Sequence, residues 1–474
     1  MRLALAASFA LATATLLMAQ QAANPERSDS AAALAFRDAA VPAPPGYEGP
    51  RFKLSRDYPR SLPASCTDCT WLDPKLKLDF QPVLPARPMA PDAWQKGEWA
   101  EYIERIIDYV KEGQDPNLSD EVGFRVNVKG RTRWFNVPWM AYDQTAGREF
   151  IHGTTNERTA HLSDLIGGAG GPRRGLHALP GVSAACQERY PHGFESWSVG
   201  YYNEWGGYAL GKAIPPSGRP AIGQYMGTPI PDGLPFPEGT LVVKVLTTSA
   251  PEECVSYLKG APKWTVDRHV LGPRQQYMCQ RAPQVNHVVQ IDVAVVDNRN
   301  PNRWVYGTFV YDGNRPGETF WDRLLPLGLQ WGSDPWTYPA VPRAESQPVQ
   351  QTVLNPGVHT FQHYGCEKRL AGPVDNPASS CLSCHGSGYA AANGQLSVLG
   401  VNVPASFGFT GLCNQYSLDS AAYFQNIPVP QTFPSGRFPN TLSMDTSLQL
   451  QVAFQQYGVF NTKTSNKCTD PNQF

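Results

Sequence analysis

The segment Cys381-Leu-Ser-Cys-His385 restricts the fold of this chain more than any other part of the sequence. In one helical turn, two thiols three positions apart face the same side, and the next residue brings an imidazole beside them. This arrangement attaches haem covalently, because the thiols form thioethers with its vinyl groups and the imidazole binds the iron. We therefore expect one haem c, held by Cys381 and Cys384, with His385 as the proximal iron ligand.

Two other interpretations of this segment are a disulfide between its cysteines and one half of a zinc site. A zinc site usually brings a second pair of ligands at similar spacing, and none follows His385 in the sequence. The segment Cys66-Thr-Asp-Cys69 has the same cysteine spacing, but Thr70 stands where the histidine would be. We expect a disulfide there and a single haem in the protein.

The N-terminus has the pattern of a secretory signal peptide, predicted over residues 1–23. Arg2 gives a positive start, residues 3–18 form an apolar run, and small residues follow. This run is too short and too rich in alanine to anchor the chain, and no later stretch reaches the roughly 18 apolar residues that a membrane span needs. We predict a periplasmic protein whose mature form has no membrane span.

Eight cysteines remain outside the haem motif, at positions 66, 69, 186, 254, 279, 366, 413 and 468. An even number in an exported chain indicates disulfides, although spacing alone leaves their connectivity open. We expect at least two disulfides, with Cys254 and Cys279 as one reasonable pair because they flank adjacent parts of the predicted sheet.

Charge and turn residues bound the class of protein. The chain has 40 Lys and Arg against 41 Asp and Glu, so it offers no electrostatic footprint for nucleic acid or an anionic membrane. Its 44 Pro and 42 Gly favour short strands and irregular connections over a helical bundle. We predict an α+β fold with a β-rich body, short helices and a loop-rich C-terminal haem-binding segment.

The patterning along the chain divides it into four segments: a signal peptide (1–23), a Pro-rich arm packed on the body (24–91), a β-rich body (92–345) and a haem-binding segment (346–474). Alternating apolar residues in the body predict strands with one buried and one solvent-facing side. The predicted elements are a helix between Asp92 and Gly113, strands at 240–247, 289–295 and 303–311, and helices at 319–325 and 448–457.

The second axial ligand of the iron is open to three interpretations. Met444 is the only methionine after the haem motif and lies in a polar loop before the last predicted helix. Electron-transfer cytochromes take a thioether ligand from such a position, because sulfur favours ferrous iron. His359 or His363 is a second option. The third is an iron with one open face.

The order of several segments resembles the cytochrome P-460 family. The segments are 197–203 (WSVGYYN), 236–244 (FPEGTLVVK), 304–309 (WVYGTF) and the haem motif, so the resemblance covers about residues 195–385. It implies a β-sheet body before a C-terminal haem c, and oxidation of a small nitrogen species such as hydroxylamine. It also implies that Lys244, in the matching strand, binds the haem macrocycle; the alternative is an ordinary lysine that reaches solvent. This chain is longer, with nearly 200 residues before the matching part and about 90 after His385.

Two functions follow from these features. The first is electron transfer, in which the covalent haem exchanges electrons with a redox partner protein. The second is a haem enzyme of the cytochrome P-460 type acting on a small nitrogen substrate, or a peroxidase. An enzyme needs an open iron face and a polar group beside it, and the sequence alone identifies no distal acid or base.

Overall fold

The computed structural model describes residues 34, 36–38, 52–80, 94, 97–119, 123–138, 153–166, 180–219, 224–225, 228–229, 234–272, 277–358, 365–386, 388–391, 413, 415–426 and 441–462. The predicted signal peptide, His359 and His363 lie outside these residues. No helix in the described ranges is long and apolar enough to cross a bilayer.

Helices and strands alternate irregularly along the chain. The α-helices are α1 (Glu98–Lys111), α2 (Leu162–Ile166), α3 (Pro180–Arg189), α4 (Glu204–Ala213), α5 (Cys381–His385), α6 (Leu418–Tyr423) and α7 (Leu448–Thr462). The strands are β1 (Asn127–Val128), β2 (Arg131–Thr132), β3 (Thr155–Ala160), β4 (Phe194–Tyr202), β5 (Gln224–Tyr225), β6 (Thr228–Pro229), β7 (Leu241–Thr248), β8 (Lys263–Leu271), β9 (Tyr277–Val296), β10 (Trp304–Tyr311), β11 (Leu324–Gln330), β12 (Thr352–Leu354), β13 (Tyr389–Ala391) and β14 (Thr441–Ser443). Single 3-10 turns occur at Thr70–Leu72, Ser256–Leu258, Trp321–Arg323 and Cys366–Lys368.

Among the described residues, eight strands form one antiparallel sheet in the order β12-β11-β10-β9-β7-β4-β3, with β8 paired to the first part of β9. Strand β9 is central, since Val295 pairs with Leu241 of β7 on one side and with Val305 of β10 on the other. Three two-stranded ribbons accompany it: β1–β2, β5–β6 and β13–β14. The prediction of an α+β fold with a β-rich body and short helices is confirmed.

One face of the sheet packs against helix α1. The helix buries a stripe of apolar and aromatic residues at helical spacing, and Trp99 stacks on Trp331 with 4.3 Å between ring centroids. Gly307 of β10 lets the helix come close, because a Cβ there would lie 3.3 Å from the Ile103 side chain. Burial of such side chains stabilises the fold by about 1.5–3 kcal/mol each.

The other face of the sheet is covered by the C-terminal part of the chain. It forms a second apolar cluster, to which the strands contribute Tyr202, Ala294 and Tyr306, and the C-terminal part contributes Leu382, Met444, Leu450 and Phe454. We expected one side of β9 to face solvent, and this is wrong. Gln290 is 0% exposed and Ala294 is 8% exposed, since the haem-motif segment and α7 lie over that side.

Residues 52–80, the longest described part of the N-terminal arm, pack on the body. The Phe52 ring lies 4.8 Å from the Trp264 ring, and the Trp71 ring meets Tyr109 edge-on at 5.2 Å. The Arg299 guanidinium donates to the Trp71 carbonyl at 2.7 Å and to two more carbonyls of the arm. Backbone carbonyls that would be orphaned at this interface are thereby satisfied.

Most of the locally patterned elements are confirmed. Helix α1 ends before Gly113, whose φ of 72° suits glycine, and β7, β10 and α7 begin within one residue of the predicted starts. The predicted strand at 289–295 is the end of a 20-residue strand, β9. The helix predicted at 319–325 is wrong. Only a 3-10 turn forms there, because Leu324 already begins β11, which pairs with β10.

Three disulfides are formed by described residues: Cys66–Cys69, Cys186–Cys254 and Cys366–Cys413. At least two such pairs were expected, and the structure brings three described pairs to disulfide distance. The suggested pair of Cys254 with Cys279 is wrong, because α3 brings Cys186 to Cys254, with 5.8 Å between their Cα atoms. Cys279 is itself disulfide-bonded.

Candidate haem-binding site

The haem motif forms a short helix, α5, whose start is fixed by side-chain hydrogen bonds. Ser380 is the N-cap, and its Oγ accepts a hydrogen bond from the backbone N–H of Ser383 at 3.2 Å. Gln330 of β11 binds the same turn, donating to Ser380 Oγ and accepting from the Leu382 N–H. The sheet thus holds the helical turn that presents both cysteines and the histidine.

Cys381 and Cys384 are thiols, whereas the seven other cysteines among the described residues are in disulfides. Cys381 Sγ lies 3.8 Å from Thr308 Oγ1 on β10. Burial raises the pKa of the Cys384 thiol to about 11, although the charge of Lys244 opposes this rise. Burial also raises the pKa of the Cys381 thiol, to which the carboxylates of Asp375 and Asp292 add.

His385 presents one ring nitrogen to the protein and keeps the other for a ligand. Its Nδ1 lies 3.0 Å from the Thr446 carbonyl oxygen, which only accepts, so Nδ1 carries the proton. Burial and the charge of Lys244 lower the pKa of His385 to about 4, so the imidazole is neutral at neutral pH. The Tyr306 ring packs on it at 5.0 Å between centroids. A neutral imidazole with a protonated Nδ1 offers Nε2 to a metal.

Polar residues cross the sheet beneath the motif in one row. The register pairs Lys244 of β7 with Asp292 of β9, and Asp292 with Thr308 of β10. Lys244 Nζ forms an ion pair with Glu157 Oε2 at 2.8 Å. Burial favours loss of the lysine proton, but nearby carboxylates, Glu157 foremost, outweigh it and raise the pKa of Lys244. The lysine is therefore a charged, partly buried group, with 21% of its side chain exposed, that Glu157 holds beside the motif.

A pair of carboxyl groups completes the cluster. Gln290 Nε2 donates to Asp292 Oδ1 at 2.7 Å and to Asp375 Oδ2 at 2.8 Å, so one amide bridges the two acids. Burial and the charge of Asp375 raise the pKa of Asp292 well above its usual value. Asp292 consequently holds its proton to a higher pH than an ordinary aspartate does.

These residues fit a haem c. The donor set consists of two thiols and a neutral imidazole on one helical turn, which matches the thioether and axial positions of that group. Within the described ranges, no cluster of three or more His, Cys, Asp or Glu is arranged to hold a metal ion, as a zinc site would require. When bound, haem would supply one-electron redox chemistry and an iron that takes small nitrogen or oxygen ligands.

Lys244 and Met444, the other candidate residues in the described ranges, are placed differently relative to the haem motif. The charge of Lys244 acts on both Cys384 and His385, so the structure brings it to the motif. Met444 is 0% exposed in the second apolar cluster, and its N–H donates to the Gly388 carbonyl at 2.9 Å. It precedes Thr446 on the loop that approaches His385 from the Nδ1 side, and its role as an iron ligand stays a prediction.

Sequence reasoning missed Glu157, Asp292, Asp375 and Gln290. A signal for two of them was present, because Gln290 and Asp292 interrupt the apolar run of β9. They were interpreted as residues of a solvent-facing side. Glu157 and Asp375 come from distant parts of the chain that only the tertiary fold brings together.

No family model, curated protein or solved structure matches this chain.

Proposed function

We propose that this chain is an exported haem c enzyme that acts on a small nitrogen species such as hydroxylamine, or on a peroxide. The observation that carries the proposal is the polar cluster of Lys244, Glu157, Asp292 and Asp375 beside the haem motif. Ionisable groups are costly to bury, and an ion pair often stabilises a core less than apolar residues of the same volume. The four side chains here are partly buried, and a cluster of ionisable groups kept partly out of water beside one motif is typical of a reaction that moves protons.

Each residue has a definite role in this proposal. Cys381 and Cys384 would hold the haem, and His385 would offer Nε2 to the iron while Nδ1 stays on the Thr446 carbonyl. Asp292 holds a proton at its carboxyl, a form that the neighbouring charge of Asp375 favours, and can deliver it to a substrate oxygen or nitrogen. Both acids stay aligned because they share the Gln290 amide.

Lys244 adds a fixed positive charge near His385. Held by Glu157, it disfavours protonation of the imidazole and attracts an electron-rich substrate or a developing anion. The resemblance to the cytochrome P-460 family adds a second role for Lys244, a covalent bond to the macrocycle. Replacing Lys244 with an uncharged residue tests the first role. The second is tested by mass spectrometry, which would find the peptide containing Lys244 bound to haem.

The second candidate is electron transfer between the haem and a redox partner protein in the periplasm. The observation behind it is proximity: the backbone N–H of Met444 donates to the Gly388 carbonyl close to the haem motif, although this loop meets His385 on the Nδ1 side, away from Nε2. A thioether on the iron would close the open face that an enzyme needs. The two candidates therefore differ in one measurable property, the access of small ligands to the iron.

Carbon monoxide binding to the ferrous protein separates them. For an enzyme we expect rapid carbon monoxide binding, and oxidation of hydroxylamine by an added one-electron acceptor.

Asp292→Asn should lower the turnover of hydroxylamine by about 100-fold, the usual effect of losing a general acid. Lys244→Met removes the charge beside His385 and should also lower the turnover. Lys263→Met is its matched control and should not, since Lys263 is a strand lysine with an exposed side chain. Slow carbon monoxide binding, with a sulfur-to-iron charge-transfer band that Met444→Ala removes, would instead establish the carrier.

A further inference from the structure

The loop between β14 and α7 contacts His385 through an unusual backbone. Asp445 and Thr446 are consecutive residues with positive φ angles, 48° and 63°. Aspartate enters this left-handed region more readily than most residues, whereas a β-branched threonine rarely does. Such a conformation persists only where the surroundings fix it, and it occurs often at functional sites.

Asp445 is fixed by three donors. Its carboxylate, in a residue with no exposed surface, accepts hydrogen bonds from Trp304 Nε1 at 2.7 Å, from the Phe236 N–H at 2.6 Å and from Arg303 Nη1 at 3.2 Å. Arg303 pairs with the carboxylate at the same distance, so the buried charge is compensated. A residue that only turned the chain would not need this set of partners.

Thr446 is fixed by Tyr306, which lies on the same face of strand β10 as Trp304. Tyr306 donates from its hydroxyl to Thr446 Oγ1 at 2.8 Å, and its ring packs on the His385 imidazole. Trp304 and Tyr306 are two residues apart on β10, so they point to the same side of the sheet. Consecutive loop residues are thus clamped by alternate strand residues, and the clamp directs the Thr446 carbonyl to His385 Nδ1.

We infer that Asp445 and Tyr306 are positioning residues for the proximal histidine, acting through the Thr446 carbonyl. This inference rests on the proposed haem site. A carbonyl that accepts from Nδ1 fixes the ring orientation and makes the imidazole a stronger electron donor to iron, which favours the ferric form. Loss of the clamp weakens that hydrogen bond and shifts the equilibrium toward ferrous iron.

The test is the reduction potential and ferric electron paramagnetic resonance spectrum of the full-length, haem-loaded protein. Asp445→Asn keeps a residue that accepts positive φ but removes the charge that binds Arg303. We expect it to shift the ferric–ferrous equilibrium toward ferrous iron by about tenfold, which is about 59 mV for a one-electron couple. Tyr306→Phe should shift it in the same direction, with altered g values.

Ser447→Ala is the matched control, because Ser447 lies on the same loop but pairs with the Tyr202 hydroxyl and not with His385. We expect its potential and spectrum to equal those of the wild type. If Asp445→Asn does not fold, Trp304→Phe removes a single donor to the same carboxylate. The inference is overturned if haem-loaded Tyr306→Phe has the potential and g values of the wild type and so does haem-loaded Asp445→Asn or Trp304→Phe. That result would leave the proposed haem site standing. A wild type without covalent haem would overturn the proposed site as well.

Discussion

Two segments of this chain have the same cysteine spacing and different chemistry. Cys66 and Cys69 form a disulfide, in a turn where the Cys69 N–H approaches the Cys66 carbonyl at 3.4 Å. Cys381 and Cys384 are thiols in an α-helical turn. Positions three apart in an α-helix have Cβ atoms about 5–6 Å apart, whereas a disulfide needs about 3.8 Å.

The local backbone therefore favours a disulfide in the first pair and free spacing of the thiols in the second. Ser380 caps the second segment and Gln330 anchors it as a helical turn, and its two cysteines remain thiols. The first segment lacks the histidine and is followed by a 3-10 turn, Thr70–Leu72. The comparison teaches that the cysteine spacing alone does not distinguish a predicted haem site from a local disulfide, because the two segments share it and differ in the histidine and in the local backbone.

The largest expected effect comes from removing the thiols of the second segment. Replacing Cys381 and Cys384 with Ala should abolish covalent haem completely, because both thioether bonds are lost. Peroxidase staining of a denaturing gel measures this directly. The matched control is the same double replacement at Cys66 and Cys69, which should leave the stained band unchanged. A stained band from the first variant would contradict the assignment.

An intermediate effect is expected from acid. His385 has a pKa lowered to about 4 in the folded chain, so in a haem-free protein the unfolded state binds more protons between pH 6.5 and about 4. Stability is then full above pH 6.5 and falls by about 3 kcal/mol as the pH drops toward 4.

Urea unfolding of the haem-free Cys381→Ala/Cys384→Ala protein at several pH values checks this loss. Adding His385→Gln should remove this part of the pH dependence, because glutamine does not titrate. An unchanged acid slope in the variant that lacks His385 would show that other groups cause the loss.

How far the sequence could predict this molecule depends on the range of the interactions involved. The β-branched strand β7 and the periodic helix α1 are set by local pattern, and so is the haem motif. The helix predicted at 319–325 fails because pairing between β10 and β11 outweighs local amphipathicity. Asp292 looked solvent-facing because its cover, the haem-motif segment, comes about 90 residues later in the chain.

The smallest expected effect concerns the first segment. Replacing Cys66 and Cys69 with Ser should lower the free energy of unfolding by about 2 kcal/mol, because the disulfide closes a very short loop. Urea unfolding of the haem-loaded protein measures it, with Cys186→Ser/Cys254→Ser as the comparison. That bridge spans 68 residues, so its loss should cost more. Equal losses would show that loop length does not govern these bridges.

Peptide mapping of the exported wild-type protein by mass spectrometry tests the central claim most directly, since it examines both segments in one sample. We predict that the peptide containing Cys381 and Cys384 carries the mass of one haem, and that the peptide containing Cys66 and Cys69 carries a disulfide. A disulfide or unmodified thiols at Cys381 and Cys384 in protein recovered from the periplasm would contradict the account.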